Sequence, residues 1–283
     1  MTLDVTAMAT PGADDTSAAP AMAMADADDK SPAPAVTRAA AILTLIADEG
    51  RPLGLSDIAR TLGLAKSSTL NLCVALEQAG LVRKGEAGYA LGTKTVELGG
   101  AYVRGFNLVR EFYRVCAESP VLQQELLQIA MLDGTMVLYL ARHEGRAPLR
   151  LSATIGDKFP ASITAVGTIL LAELDPSVVR EMFSDPGTMP AWTEHSVTSI
   201  DRLLAKLDAT RYRGYAVDDG ETNAGVYGLG VLLPPPRPSD APLALGASLM
   251  KASMTPQRQE LLVKELFQAR DYLSSPRLII RDR

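Results

Sequence analysis

The most constraining stretch of this 283-residue chain runs from Leu55 to Gly92, where two short helical patterns meet across a glycine and a hairpin pattern follows at once. In Leu55-Ser56-Asp57-Ile58-Ala59-Arg60-Thr61-Leu62, the residues Ile58, Ala59 and Leu62 share one face, and Ser56 reads as the N-cap. Gly63 supplies the left-handed residue that ends a short helix, and a further helix is predicted over Lys66–Gln78, stopped by Gly80. Two helices joined by a tight, glycine-bearing turn make a helix-turn-helix. Leu81 to Leu91 then reads as strand, glycine turn, strand, which adds a wing. Ahead of this motif, Ala39, Ile42, Leu43 and Ile46 predict one more helix, closed at Gly50-Arg51-Pro52.

The helix over Lys66–Gln78 divides into two faces. Thr69, Leu72, Cys73 and Leu76 step at three and four residues and belong to the core, leaving Lys66, Ser67, Ser68, Leu70, Asn71 and Val74 outside or at the boundary. A lysine and two hydroxyls beside the unpaired N–H groups of a first helical turn suit a phosphate oxygen. Asn71 offers a donor and an acceptor to an adenine edge, and Leu70 or Val74 can meet a thymine methyl. Arg83 and Lys84 at the base of the wing, with Arg38 on the first helix, complete the candidate DNA contacts. The sequence leaves a plainer reading open, in which Ser67 and Ser68 only cap the helix and Asn71 is solvated. It also leaves open a winged helix that docks on protein.

A net charge of −5 argues at first against nucleic acid. Residues 1–34, however, hold Asp4, Asp14, Asp15, Asp26, Asp28 and Asp29 against Lys30 alone, so this segment carries the whole excess. The remaining 27 acidic and 27 basic residues cancel. The segment is predicted to be a disordered acidic tail, without the basic start and apolar core of a secretory signal. Between Val36 and Gly92 six basic residues face five acidic ones, so binding to DNA must depend on local placement and be salt-sensitive. Cys73 and Cys116 cannot staple a chain of this length and read as reduced thiols of a cytoplasmic protein. No stretch is long enough to span a membrane; Val226 to Pro236 is short and ends in three prolines. With two histidines, multi-histidine metal chemistry is not expected, and neither is a cofactor. His143 reads as part of an exposed turn and His195 as part of a loop, so a small-molecule hydrolase, the enzymatic alternative, has no recognisable catalytic constellation.

A connecting helix is predicted from Thr93, its cap, to about Glu118, weakened by Gly99, Gly100 and Gly105, with a break expected near Gly105. The pattern then turns to strands. Leu126–Leu132 and Thr135–Ala141 flank Asp133-Gly134, a hairpin signal, and another strand is predicted over Pro148–Ala153. Helices follow at Thr164–Glu173, Ser177–Phe183 and Ser199–Arg211, and strands at Tyr215–Asp218, Val226–Leu233 and Leu243–Leu249. A last helix opens at Thr255-Pro256. The fold class is therefore α+β: a winged helix-turn-helix over residues 35–92, a linker over 93–118, and over 119–283 an antiparallel sheet covered by helices.

The runs Ile58-Ala59-Arg60, Leu62-Gly63-Leu64-Ala65-Lys66-Ser67-Ser68, Tyr89-Ala90-Leu91-Gly92 and Val96-Glu97-Leu98-Gly99 resemble the IclR family of bacterial transcriptional regulators. Leu132-Asp133-Gly134, Val137-Leu138-Tyr139-Leu140, Ala165-Val166-Gly167 and Gly214-Tyr215-Ala216-Val217-Asp218-Asp219 continue the match in the family's order. The resemblance implies a homodimer or tetramer paired partly through the connecting helix. It also implies a GAF-like C-terminal domain that binds a small organic acid and controls an operator, most often as a repressor. It places the effector contacts on Ile163, Thr164, Ala165, Gly167, Asp218, Gly225, Gly228, Gly246 and Ser248. Ile163, Gly228 and Gly246 stand where family members often carry a polar residue, Cys and Ser. That departure predicts a larger, less polar pocket for a bulkier, aromatic acid, unless the glycines serve close packing instead.

Overall fold

The structure, a computed structural model, describes residues 31–104, 108–146, 149, 153–235 and 240–274. The chain divides into two compact units, the first ending at Gly105 and the second starting at Phe106.

The first unit contains α1 (Pro34–Glu49), α2 (Leu55–Thr61), α3 (Lys66–Gln78), β1 (Val82–Gly85), β2 (Gly88–Leu91) and α4 (Thr93–Arg104). Ile42, Ile46, Ile58, Leu62, Cys73, Leu76, Val82 and Tyr89 make its core. The helix-turn-helix is set by its backbone ends. At the end of α2, Gly63 has φ +65°, with Gly63 N–H on Arg60 O at 3.2 Å and Leu64 N–H on Ala59 O at 2.9 Å. Gly80 repeats the same double bond after α3, with φ +72° and Leu81 N–H on Leu76 O at 2.9 Å. Both are Schellman stops, which need a residue that tolerates positive φ. The wing is a two-stranded sheet that pairs Val82 with Leu91 and Gly85 with Gly88, and Leu53 makes one isolated bridge to Tyr89. Ser56 is not the cap expected for α2; Gly54 holds that position, without a side-chain bond, and Ser56 lies inside the helix. Thr93 likewise is the first residue of α4 rather than its cap. The predicted break at Gly105 falls outside the described residues, between α4 and the helix that opens the second unit.

That helix is α5 (Leu108–Glu118). After it come β3 (Leu126–Asp133), β4 (Met136–His143), β5 (Lys158–Pro160), α6 (Ala165–Leu171), α7 (Pro176–Met182), α8 (Ile200–Arg213), β6 (Ala216–Asp219), β7 (Val226–Leu233), β8 (Leu243–Met250) and α9 (Pro256–Leu273). The six strands form one antiparallel sheet in the order β5-β4-β3-β8-β7-β6. Residues alternate between two helical layers, as the two-residue period of a strand requires. Leu127, Ile129, Leu229, Val231, Leu245 and Leu249 pack with Phe112 of α5 and Leu262 and Leu266 of α9. Ala130, Val137, Tyr139 and Ala244 face the other way, onto Val166, Ile169 and Leu170 of α6 and Leu203 and Leu207 of α8. The predicted strand over Pro148–Ala153 lies largely outside the described residues, and Leu149 and Ala153 themselves are not in a strand. The sequence does not predict β5; three residues give too short a pattern.

One irregularity re-aims a side chain of β4. The β3–β4 register passes from Ile129 opposite Ala141 to Ala130 opposite Tyr139, leaving Leu140 as an extra residue. Leu140 and Ala141 therefore both face α5 and α9, and the alternation beyond them is inverted. Without this bulge Ala141 would stand opposite Gln128; with it, Arg142 does.

Candidate DNA-reading face and effector pocket

On α3 the two faces separate as the spacing predicts. Thr69, Cys73 and Leu76 are buried, while Lys66, Ser67, Leu70, Asn71 and Val74 are exposed and Ser68 is half-exposed. Leu70 and Val74 are 40% and 41% exposed, which leaves both open to apolar contact. The helix begins at Ala65 with no side-chain cap. Ser67 and Ser68 thus do not close the helix start, and its first-turn N–H groups have no side-chain oxygen upon them. Arg83 and Lys84 are exposed on β1, with Lys84 Nζ 5.8 Å over the Tyr89 ring. Arg38 belongs to α1 and is half-buried there.

In the second unit a small cavity of about 30 Å³ lies between α6 and the sheet, room for about one or two waters. Of the sequence-assigned residues, Thr164, Ala165, Asp218, Gly228 and Ser248 line it. Ile163, Gly167, Gly225 and Gly246 do not. Ile163 is buried and contributes its carbonyl, which accepts from Thr222 Oγ1 at 3.1 Å. Gly225 is exposed. Gly246 is filled from across the layer: a Cβ there would lie 2.5 Å from Val166 Cγ1. At Gly228 a Cβ would meet Ala165 Cβ at 3.4 Å, and at Gly230 the Ala165 carbonyl oxygen at 2.6 Å. The larger pocket expected from these glycines is not formed. They make a trough into which α6 settles, because a sheet without side chains lets a helix backbone approach.

Thr164 caps α6, its Oγ1 accepting from Gly167 N–H at 3.1 Å, so that amide is already engaged and is not open to a carboxylate. Asp218 is equally committed. It accepts from Glu221 N–H at 2.7 Å, from Thr222 N–H at 3.3 Å and from Thr222 Oγ1 at 2.5 Å. Burial pushes its carboxyl above the usual range, with the Thr222 hydroxyl and Lys206 pulling against that shift. Glu221, paired with Lys206 Nζ at 2.6 Å, is raised for the same reason of burial.

Period-2 reading missed the lining groups that matter most chemically: Gln128, Tyr139, Arg142, Phe159 and Thr222. Arg142 enters the cavity only because of the extra residue at Leu140, which no periodic pattern announces. Tyr139 and Phe159 stack at 5.1 Å, and Trp192 meets Phe159 edge-on at 5.9 Å. Burial pushes the Tyr139 phenol up to about 12. His143, expected in an exposed turn, is instead the half-buried last residue of β4, and burial lowers its imidazole pKa. His195 is exposed beside Glu194, 3.8 Å away. Among the described residues no three His, Cys, Asp or Glu side chains group as a metal site, and no helix is long and apolar enough to cross a membrane.

A winged helix-turn-helix with an uncapped, exposed reading helix, carried on a chain whose other unit holds a small, mainly apolar cavity with a few polar groups in its wall, defines a ligand-responsive transcriptional regulator. The family comparisons give that class its name. The family model for the bacterial transcriptional regulator IclR C-terminal domain matches residues 100–272, and the IclR helix-turn-helix domain matches residues 35–86. The chain belongs to the IclR family. It is 28% identical over 187 residues to the HTH-type transcriptional regulator KdgR of Dickeya chrysanthemi, a match that covers 65% of this chain and 61% of that one. The crystal structure of an IclR transcriptional regulator from Alicyclobacillus acidocaldarius superposes with a TM-score of 0.72 at 25% identity, covering 85% of this chain and 97% of that one. An IclR homologue from Microbacterium hydrocarbonoxydans, solved in complex with 4-hydroxybenzoate, shares the fold with a TM-score of 0.72 at 22% identity, over 85% and 97% of the two chains.

Proposed function

We propose that this regulator acts in the cytoplasm as a homodimeric or tetrameric repressor, without enzymatic activity of its own. In this reading, Lys66, Ser67 and Ser68 hold DNA phosphates, Asn71, Leu70 and Val74 read base edges in the major groove, and Arg83, Lys84 and Arg38 add backbone contacts. The observation that carries it is the start of α3: an uncapped first turn with an exposed lysine and serine, followed by an exposed polar and apolar stripe. Two such helices in an oligomer offset the weak charge of one unit by binding two half-sites.

The effector is a small organic acid, aromatic in character, held among the cavity residues named above. The aromatic set Tyr139, Phe159 and Trp192 supports that class, as does the 4-hydroxybenzoate bound by the Microbacterium homologue. The acid widens this small cavity as it enters. It thereby biases the second unit between two states, and α4 and α5 carry that bias to the spacing of the reading helices.

Fluorescence anisotropy with the intergenic DNA beside its own gene, from low to moderate salt and with benzoate-type acids added, tests the reading. Sequence-specific binding that an acid weakens is the expected result. Absence of binding at low salt would favour a protein-docking winged helix, and light scattering of the free protein reads the oligomer.

A further inference from the structure

Gln128 and Arg142 face each other across β3 and β4, and both line the cavity. Gln128 is 6% exposed. Its Nε2 donates to Ser248 Oγ at 3.0 Å, and its Oε1 is buried with no hydrogen-bond partner. A buried acceptor left in this way is rare in folded proteins and marks a place where a donor belongs. The Arg142 side chain is 13% exposed, and its Nη1 donates to Glu144 Oε1 at 2.8 Å. Glu144, by contrast, is 52% exposed. An almost enclosed guanidinium at the wall of the pocket thus reaches out to a carboxylate that is itself half-exposed.

We infer that Arg142 is the anchor for the carboxylate of the effector, that Glu144 holds its place when the pocket is empty, and that the effector carries a hydroxyl donated to Gln128 Oε1. The inference rests on the reading of this cavity as an acid site and names the ligand class more narrowly, as a hydroxy-substituted carboxylic acid. Cross-strand neighbours stand about 5 Å apart, so one small molecule reaches both groups. The exchange favours the ligand. The Arg142–Glu144 contact is exchanged at little loss, because an ion pair with a half-exposed partner is weak, whereas an enclosed carboxylate on a guanidinium makes a strong, charge-assisted contact. No bond is made or broken; one carboxylate replaces another.

The test uses the full chain with R142Q and E144Q variants, titrated with benzoate, the 2-, 3- and 4-hydroxybenzoates, and 4-hydroxybenzamide as the uncharged probe. Calorimetry gives affinity. Trp192 fluorescence gives a local signal, since this is the sole tryptophan and its ring abuts Phe159 of the cavity wall. One or more hydroxybenzoates should bind the unaltered chain about tenfold more tightly than benzoate or the amide. R142Q should lose about tenfold or more for the acids and keep its affinity for the amide, which also shows that the pocket still folds. E144Q should bind the acids several-fold more tightly. Unchanged acid binding in R142Q, or unchanged or weaker binding in E144Q, overturns the anchor and its placeholder while leaving the acid site standing. Failure of every carboxylate to bind the unaltered chain overturns the acid site itself, and this inference with it.

Discussion

The glycine trough under α6 makes a quantitative prediction. A Cβ at Gly246 would lie 2.5 Å from Val166 Cγ1 and 3.4 Å from Gln128 Cγ, so Gly246→Ala drives one methyl into another where α6 rests on the sheet. Overpacking of this kind costs roughly 1–3 kcal/mol, and the reduced freedom of the unfolded chain returns about 0.4–1 kcal/mol. A net loss of about 1–2 kcal/mol is expected. Val166 is 2% exposed, so Val166→Ala alone forfeits about 1.6 kcal/mol for two methyl groups plus a cavity contribution. In the double variant the new methyl enters the space that Val166 Cγ1 vacates, and the combined loss should fall short of the sum by about 1 kcal/mol or more. Gly230→Ala is the control, because its clash is with the Ala165 carbonyl at 2.6 Å and no side-chain truncation relieves it. Urea unfolding followed through Trp192, the sole tryptophan, isolates the second unit from the first, as a chain of two units demands. Additivity of the two alanine substitutions within about 0.5 kcal/mol, or a neutral Gly246→Ala, would refute the packing argument.

Three further outcomes are expected. Burial holds the Asp218 and Glu221 carboxyls above their ordinary values, so the folded chain keeps protons that the unfolded chain releases. The stability they lend is present at low pH and is lost as pH rises from about 4 through the raised values. Asp218→Asn should accordingly flatten the decline of stability with pH, as read by urea unfolding at a series of pH values; an unaltered slope contradicts the assignment. Asn71→Ala should relax base preference by roughly 1–3 kcal/mol, whereas Lys66→Ala should weaken binding to all sequences alike, in anisotropy titrations across operator variants. Deleting residues 1–30 removes six acids and one lysine, and should raise non-specific DNA affinity at low salt while leaving operator preference intact.

The helix-turn-helix was legible because its signals are local. The helical spacing around Ile58 and Cys73 and the stops at Gly63 and Gly80 lie within a few residues of what they control. The strands of the large sheet were also legible, since their alternation survives in Val226–Leu233 and Leu243–Met250. The pocket was legible only in part. Asp218 and Ser248 sit on regular strands and reach the cavity by simple alternation. Arg142 reaches it through a register shift between two strands, which is a property of their pairing and not of either sequence. Gly246 misled for a related reason: a missing side chain reads as empty space until the opposing layer shows that Val166 occupies it.

The two binding surfaces differ in how freely they can change. On α3 the side chains that hold the helix in place, Thr69, Cys73 and Leu76, are separate from those that face outward, and the helix ends are fixed by backbone turns at Gly63 and Gly80. Operator preference can therefore drift through Leu70, Asn71 and Val74 with little effect on folding. The cavity has no such division of labour. Val166, Tyr139, Phe159 and Asp218 are at once its neighbours and the packing of the sheet, so a new effector must be accommodated together with a repacked core. Within one lineage, target genes should diversify faster than the signal that governs them.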